Sequence, residues 1–213
     1  MVSGYFGVPG CGKTTILTAI AQKELIKISK GKSSYKHVLT NFYCKGCERI
    51  DFSDMAVYNI TDSLILLDEI TLDADSRDFK QFSAGLKEFF TLHRHVYNDI
   101  VYFCQDFSRV DKTIRNVTYD LWYVTKTVIP FFNRWSVARQ IYRNIDINEY
   151  SSELVLGYRF AKFTEVIFGR PKKIIYRPHW YPYFDSFDAM GLDQRDPFQY
   201  VSWDPVDFNF PID

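Results

Sequence analysis

The chain has 213 residues with 26 Lys and Arg against 26 Asp and Glu, so no global field draws it to nucleic acid and any such site must be local. No apolar run reaches the ~18 residues of a membrane span, and no leading apolar signal segment is seen. With four cysteines, this points to a reducing, cytoplasmic setting. The length favours one domain large enough for a full core. Aromatic residues make up 18% of the chain, which favours a rich core or adhesive surfaces.

Residues 2–6 form a short apolar segment. Gly7-Val8-Pro9-Gly10-Cys11-Gly12-Lys13-Thr14-Thr15 follows it and fits the phosphate-loop pattern G-x-x-x-x-G-K-[ST]. A polyphosphate needs converging backbone N–H groups, and glycines let the backbone curl tightly enough to supply them. In this pattern Lys13 reaches the β- and γ-phosphates, and the Thr14 hydroxyl binds Mg²⁺. A helix expected over 13–30 aims its positive end at the phosphates. Its apolar stripe is Ile16, Leu17, Ile20, Leu25 and Ile28, and Lys23, Lys27 and Lys30 share the other side.

A second strand is expected over 37–43. It leads into Cys44-Lys45-Gly46-Cys47, where a plain turn at Gly46 is favoured over half a zinc knuckle because no second C-x-x-C exists. Next, Ser63-Leu64-Ile65-Leu66-Leu67-Asp68-Glu69 reads as a central parallel strand ending in two acids. Asp68 is expected to hold the Mg²⁺ shell and Glu69 to polarise an attacking water. This pairing favours hydrolysis over phosphoryl transfer to a small alcohol.

A polar connection over 70–79 precedes a helix whose stripe is Phe79, Phe82, Leu86, Phe89 and Phe90, ending in His93-Arg94-His95. Residues 100–105 read as another buried strand, with Gln105 at its tip placed to hold the lytic water or sense the γ-phosphate. Arg109, Lys112 and Arg115 recur every three residues in an expected short helix. They could serve phosphates in cis, a neighbouring subunit's nucleotide, or DNA, and Arg115 is the favoured one. Two long strands are expected over 119–129 and 135–147, joined by a hairpin-like connection at 130–134. Short elements over 154–160 and 172–177 follow. The stretch from Asp185 to Asp213 holds seven Asp and one Arg, a net of −6, which leaves +6 for the first 184 residues. It is expected to be partly disordered or a docking arm. The division expected is a P-loop core over 1–130, a β-rich extension packed on it over 131–184, and this acidic aromatic tail.

The phosphate loop, the run 64–69, and the ordered series His93-Arg94-His95, Asp99-Ile100, Gln105, Val110-Asp111-Lys112 and Ile114-Arg115 together resemble the zonula occludens toxin family of filamentous-phage ATPases. That family is akin to the phage assembly protein called protein I and is placed near the FtsK–HerA translocases. The resemblance implies an α/β fold of the additional-strand (ASCE) P-loop type, with a mostly parallel sheet flanked by helices. It also implies ATP and Mg²⁺ as cofactors and a ring-shaped homo-oligomer, six subunits being the candidate size. Hydrolysis would be coupled to DNA movement or virion extrusion, with phage or membrane-associated assembly proteins as further partners. Carried onto matching positions, Lys13 and Thr14 bind phosphate and metal, Asp68 orders the metal, Glu69 activates water and Gln105 is the sensor. Phage assembly members typically carry a transmembrane helix after the ATPase domain, and this sequence shows none. A motor recruited to the inner membrane face by a partner is therefore the expected form. Two other classes stand as alternatives: a nucleotide or polynucleotide kinase with Arg109, Lys112 and Arg115 as a cationic lid, and a nucleotide-gated scaffold with little turnover.

Overall fold

The computed structural model describes residues 1–70, 79–126, 134–147, 154–160 and 172–185. The connection at 71–78, the link at 127–133 and the tail from 186 onward lie outside these. The described elements run β1 (Val2–Phe6), α1 (Lys13–Ser29), β2 (His37–Thr40), β3 (Glu48–Arg49), α2 (Phe52–Val57), β4 (Ser63–Leu67), α3 (Phe79–Leu92) and β5 (Asp99–Cys104). They continue with α4 (Lys112–Val117), β6 (Asp120–Lys126), β7 (Trp135–Ile147), β8 (Leu154–Phe160) and β9 (Lys172–Tyr176).

Strand β4 is buried at every position because helices cover both of its faces. Leu64 and Leu66 pack with Ile16, Leu17 and Ala21 of α1. Ile65 and Leu67 pack on the opposite face with Met55 of α2 and Leu86 and Phe90 of α3. A strand sandwiched this way has no solvent side to mark with polar residues, hence the unbroken apolar run.

All the described strands share one sheet, ordered β3-β2-β4-β5-β1-β6-β7-β8, with β9 also on β7. Pairing is parallel from β3 through β6 and antiparallel beyond. Strand β5 therefore stands between β1, which leads into the phosphate loop, and β4, which leads into the two acids. This inserted strand is the mark of the additional-strand P-loop class, and the α/β fold is of that kind. The β-rich region past residue 130 continues the same sheet. One edge of β7 pairs with β6, and its other edge is shared end to end by β9 (along 135–139) and β8 (along 141–147).

Several expected elements change on folding. The strand expected over 37–43 stops at Thr40, whose hydroxyl donates to the Phe42 carbonyl at 2.8 Å and turns the chain. The Arg109–Arg115 helix is two pieces, a 3₁₀ turn (Phe107–Arg109) and α4. Asp106 caps the first by accepting from the Ser108 N–H, and Asp111 caps the second by accepting from the Thr113 N–H. Helix α2 had no sequence expectation. Its six residues are too few to show a helical period, and it starts from a capping box between Asp51 and Asp54.

Candidate nucleotide site

The loop begins where β1 ends. The Gly7 N–H donates to the Cys104 carbonyl at 3.4 Å, and a Cβ on Gly7 would run into the Val124 carbonyl oxygen. The chain then turns, with the Cys11 N–H donating to the Val8 carbonyl at 3.2 Å. Gly10 and Gly12 hold φ of 72° and 95°, in the left-handed region that side chains disfavour. Helix α1 starts at once, so the N–H groups of Lys13, Thr14 and Thr15 have no acceptor within their own helix and are open to an anion. Val8, Pro9 and Gly10 are exposed, whereas Cys11 and Thr15 are buried. Burial pushes the Cys11 thiol up, so it is a small apolar filler under the loop and not a nucleophile.

The acids meet the loop across β5. The Thr14 hydroxyl donates to Asp68 Oδ2 at 2.6 Å, and the Glu69 N–H donates to Asp68 Oδ1 at 3.0 Å. Lys13 Nζ forms an ion pair with Glu69 Oε1, and Gln105 Nε2 donates to Glu69 Oε2 at 3.1 Å. Glu69 itself takes a left-handed backbone, φ 54°, at the point where the chain leaves β4. Such strain in a non-glycine residue gathers at functional sites. The Lys13 ammonium also lies 5.2 Å from the Phe103 ring centroid. Asn41, just past β2, fixes the backbone of Asp68 from the side. Its amide donates to the Asp68 carbonyl at 2.9 Å and its own oxygen accepts the Asp68 N–H at 2.7 Å.

Lys13 and Asp68 are each only 8% exposed, so their charges are held largely out of water. Burial is the main force on Asp68 and raises its pKa, while the Thr14 hydrogen bond opposes it. A raised folded-state pKa means the charged form is costly. The penalty sets in as pH climbs above the unfolded carboxylate value and is complete above the folded one. Asp68→Asn is therefore expected to raise the melting temperature at neutral pH by a few degrees, measured by thermal melts.

The structure thus gathers Lys13, Thr14, Asp68, Glu69 and Gln105 into one hydrogen-bonded set. Arg115 is not among them. It rides on α4, which runs from the loop edge back toward the start of the sheet, where the Tyr119 N–H donates to the Val2 carbonyl at 2.8 Å. Three residues that sequence reasoning did not single out do stand at the loop. Ser136 Oγ donates to the Cys11 carbonyl at 2.5 Å, Arg177 Nη1 approaches the Gly10 carbonyl at 3.5 Å, and the Lys126 ammonium lies beside Gly10. The one sequence signal was Ser136, a small polar residue inside an otherwise apolar strand start. Cys44 and Cys47 are free thiols on a turn closed by Gly46, φ 82°, and by the Cys47 N–H donating to the Cys44 carbonyl. The neighbouring Cys47 and the Gln22 amide hold the Cys44 thiol below its ordinary pKa. His37, the first residue of β2, bonds Glu48 at 2.9 Å.

A family model described as zonular occludens toxin (Zot) matches residues 16–160, well over half of the chain. The chain belongs to the zonular occludens toxin family. The match begins just after the phosphate loop and runs through β7 and β8, with β9 outside it. No curated protein matches the chain. Among solved structures it is similar to the N-terminal domain of zonular occludens toxin from Neisseria meningitidis, at 14% identity over 86% of this chain and 98% of that one, with a TM-score of 0.48. It is also similar to the flagellar accessory protein FlaH from Methanocaldococcus jannaschii, at 11% identity over 76% and 89% of the two chains, TM-score 0.46. A third is B204, the DNA-packaging ATPase from Sulfolobus Turreted Icosahedral Virus, at 11% identity over 73% and 95%, TM-score 0.40. Among the described residues, no helix of this family member is long and apolar enough to cross a membrane.

Proposed function

We propose that this protein is an ATP-hydrolysing motor that works as a homo-oligomeric ring and couples hydrolysis to DNA movement or filamentous virion extrusion. The observation that carries the reading is the linked set Lys13–Glu69–Gln105 beside Thr14–Asp68, assembled at the C-terminal edge of a parallel sheet. Family membership supports the phage context.

Thr14 and Asp68 fit a magnesium ion, since both offer hard oxygens and those oxygens already sit 2.6 Å apart. When bound, the ion neutralises charge on the β- and γ-phosphates. The protein's own groups do the rest. The open amides of Lys13, Thr14 and Thr15 hold the polyphosphate, and the bend at Gly7, Pro9, Gly10, Cys11 and Gly12 shapes the cradle. Lys13 exchanges its Glu69 partner for phosphate oxygens, which frees the Glu69 carboxylate to take a proton from water. Gln105, already in contact with Glu69, orients that water. Arg115 is assigned to a neighbouring subunit's nucleotide, which makes turnover depend on assembly. Work on the cytoplasmic side of the membrane, with recruitment by a membrane-associated assembly protein, completes the proposal.

The test is phosphate release against protein concentration, with and without single- and double-stranded DNA. Specific activity is expected to rise with protein concentration as rings form. Lys13→Ala is expected to lose both binding of a fluorescent ATP analogue and turnover. Binding by Lys13→Ala as tight as wild type would overturn the site assignment.

A further inference from the structure

We propose that Ser136 and Arg177 are positioning residues that hold the phosphate loop in its anion-binding shape, making the strands past residue 130 part of the nucleotide site. The inference rests on the nucleotide-binding reading above. In a loop whose N–H groups converge on an anion, carbonyls must turn outward, and a buried carbonyl needs a donor. Ser136 is fully buried and supplies one to Cys11 at 2.5 Å. Arg177 directs Nη1 at the preceding carbonyl, Gly10, at 3.5 Å.

Contact as well as hydrogen bonding closes this seam. The space a Cβ would need at Gly12 is already taken by the Ser136 hydroxyl and by Arg177 Cδ. Gly12 immediately precedes Lys13, so the two side chains press on the loop where it turns into the helix. The main chain at both positions is tied to β7. Ser136 pairs with Lys126 of β6 and with Ile175 of β9, and the Arg177 N–H donates to the Arg134 carbonyl at 2.9 Å. With the Lys126 ammonium beside Gly10, the same seam puts two cations next to the loop, where they favour a polyanion.

The experiment is equilibrium binding of a fluorescent ATP analogue together with steady-state ATPase kinetics on wild type, Ser136→Ala, Arg177→Ala and Arg177→Lys, each checked by thermal melting. Ser136→Ala and Arg177→Ala are each expected to weaken binding and raise KM about tenfold, with a smaller change in kcat because Glu69 and Gln105 are untouched. Arg177→Lys is expected to recover part of the affinity. Folded Ser136→Ala and Arg177→Ala proteins that bind as tightly as wild type would overturn the brace, as would a fall in kcat with KM unchanged. Should Ser136→Ala fail to fold, the part-exposed Arg177 pair of variants decides alone. A wild type that binds no ATP analogue overturns the nucleotide reading itself, a result distinct from intact binding that is indifferent to the seam.

Discussion

Glu69→Gln is expected to lower the rate of ATP hydrolysis by roughly 10²- to 10⁴-fold, the range for losing a positioned general base, while binding ATP more tightly than wild type. The two effects have separate causes. The amide cannot take a proton from water, so the chemical step loses its base. Lys13 is held by the Glu69 carboxylate, and that contact competes with the phosphates for the same ammonium. Neutralising Glu69 removes the competitor, so less of the binding free energy goes into breaking the pair. The carboxamide keeps the size of the side chain and can still meet Gln105, so the loop geometry should survive. Single-turnover hydrolysis and analogue binding measure the two effects on one sample. Hydrolysis equal to wild type would remove Glu69 as the base. Binding weaker than wild type would show that the ion pair supports the loop instead of competing with nucleotide.

Gly7→Ala is expected to abolish nucleotide binding and to destabilise the fold by about 1–3 kcal/mol, the usual cost of forcing atoms into a packed site. The added methyl meets the Val124 carbonyl oxygen of β6, which is main chain and cannot rotate away. Either the loop lifts off β6 or the β1–β6 pairing opens, and both spoil the cradle that begins one residue later. Gly31→Ala is the control. Gly31 lies just past α1 with nothing within 4 Å of a Cβ, but its φ is 63°, so alanine there costs about 1–2 kcal/mol of backbone strain. The two variants should show comparable losses in chemical denaturation, yet only Gly7→Ala should lose binding. Equal loss of binding in both would mean that affinity follows overall stability and not the Gly7 contact.

The parts of the fold that announced themselves are those whose physics is local. Strand β4 reads as buried because Leu64 to Leu67 are an unbroken apolar run with no polar face, and all four are buried. The loop and α1 read from residue types that only one backbone path requires. What did not read was pairing. Nothing in residues 99–104 says that β5 lies between β1 and β4, although this placement is what puts Gln105 within 3.1 Å of Glu69. Ser136 and Arg177 were opaque for the same reason, since they meet the loop from 125 and 167 residues away. A serine in a strand, or an arginine just past one, has many ordinary explanations. Asn41 was hidden by a different mechanism: a strand-like pattern runs through it, but its side chain is used where the main chain would otherwise have continued to pair.

That asparagine has a consequence for how the cleft depends on the rest of the molecule. By matching one acceptor and one donor on Asp68, the Asn41 amide stands in for the next rung of the β2–β4 ladder. It ties the Asp68 carboxylate to the flank of the sheet that ends in β3. The opposite flank ends in β8 and β9 and grips the phosphate side through Ser136. The cleft is therefore suspended between two margins, one holding the acid and the other holding the loop. Fraying at either margin changes the spacing of the same pair of groups, Asp68 and Thr14, from opposite directions. Local opening of a sheet edge, ordinarily a peripheral event, is in this protein an event at the nucleotide.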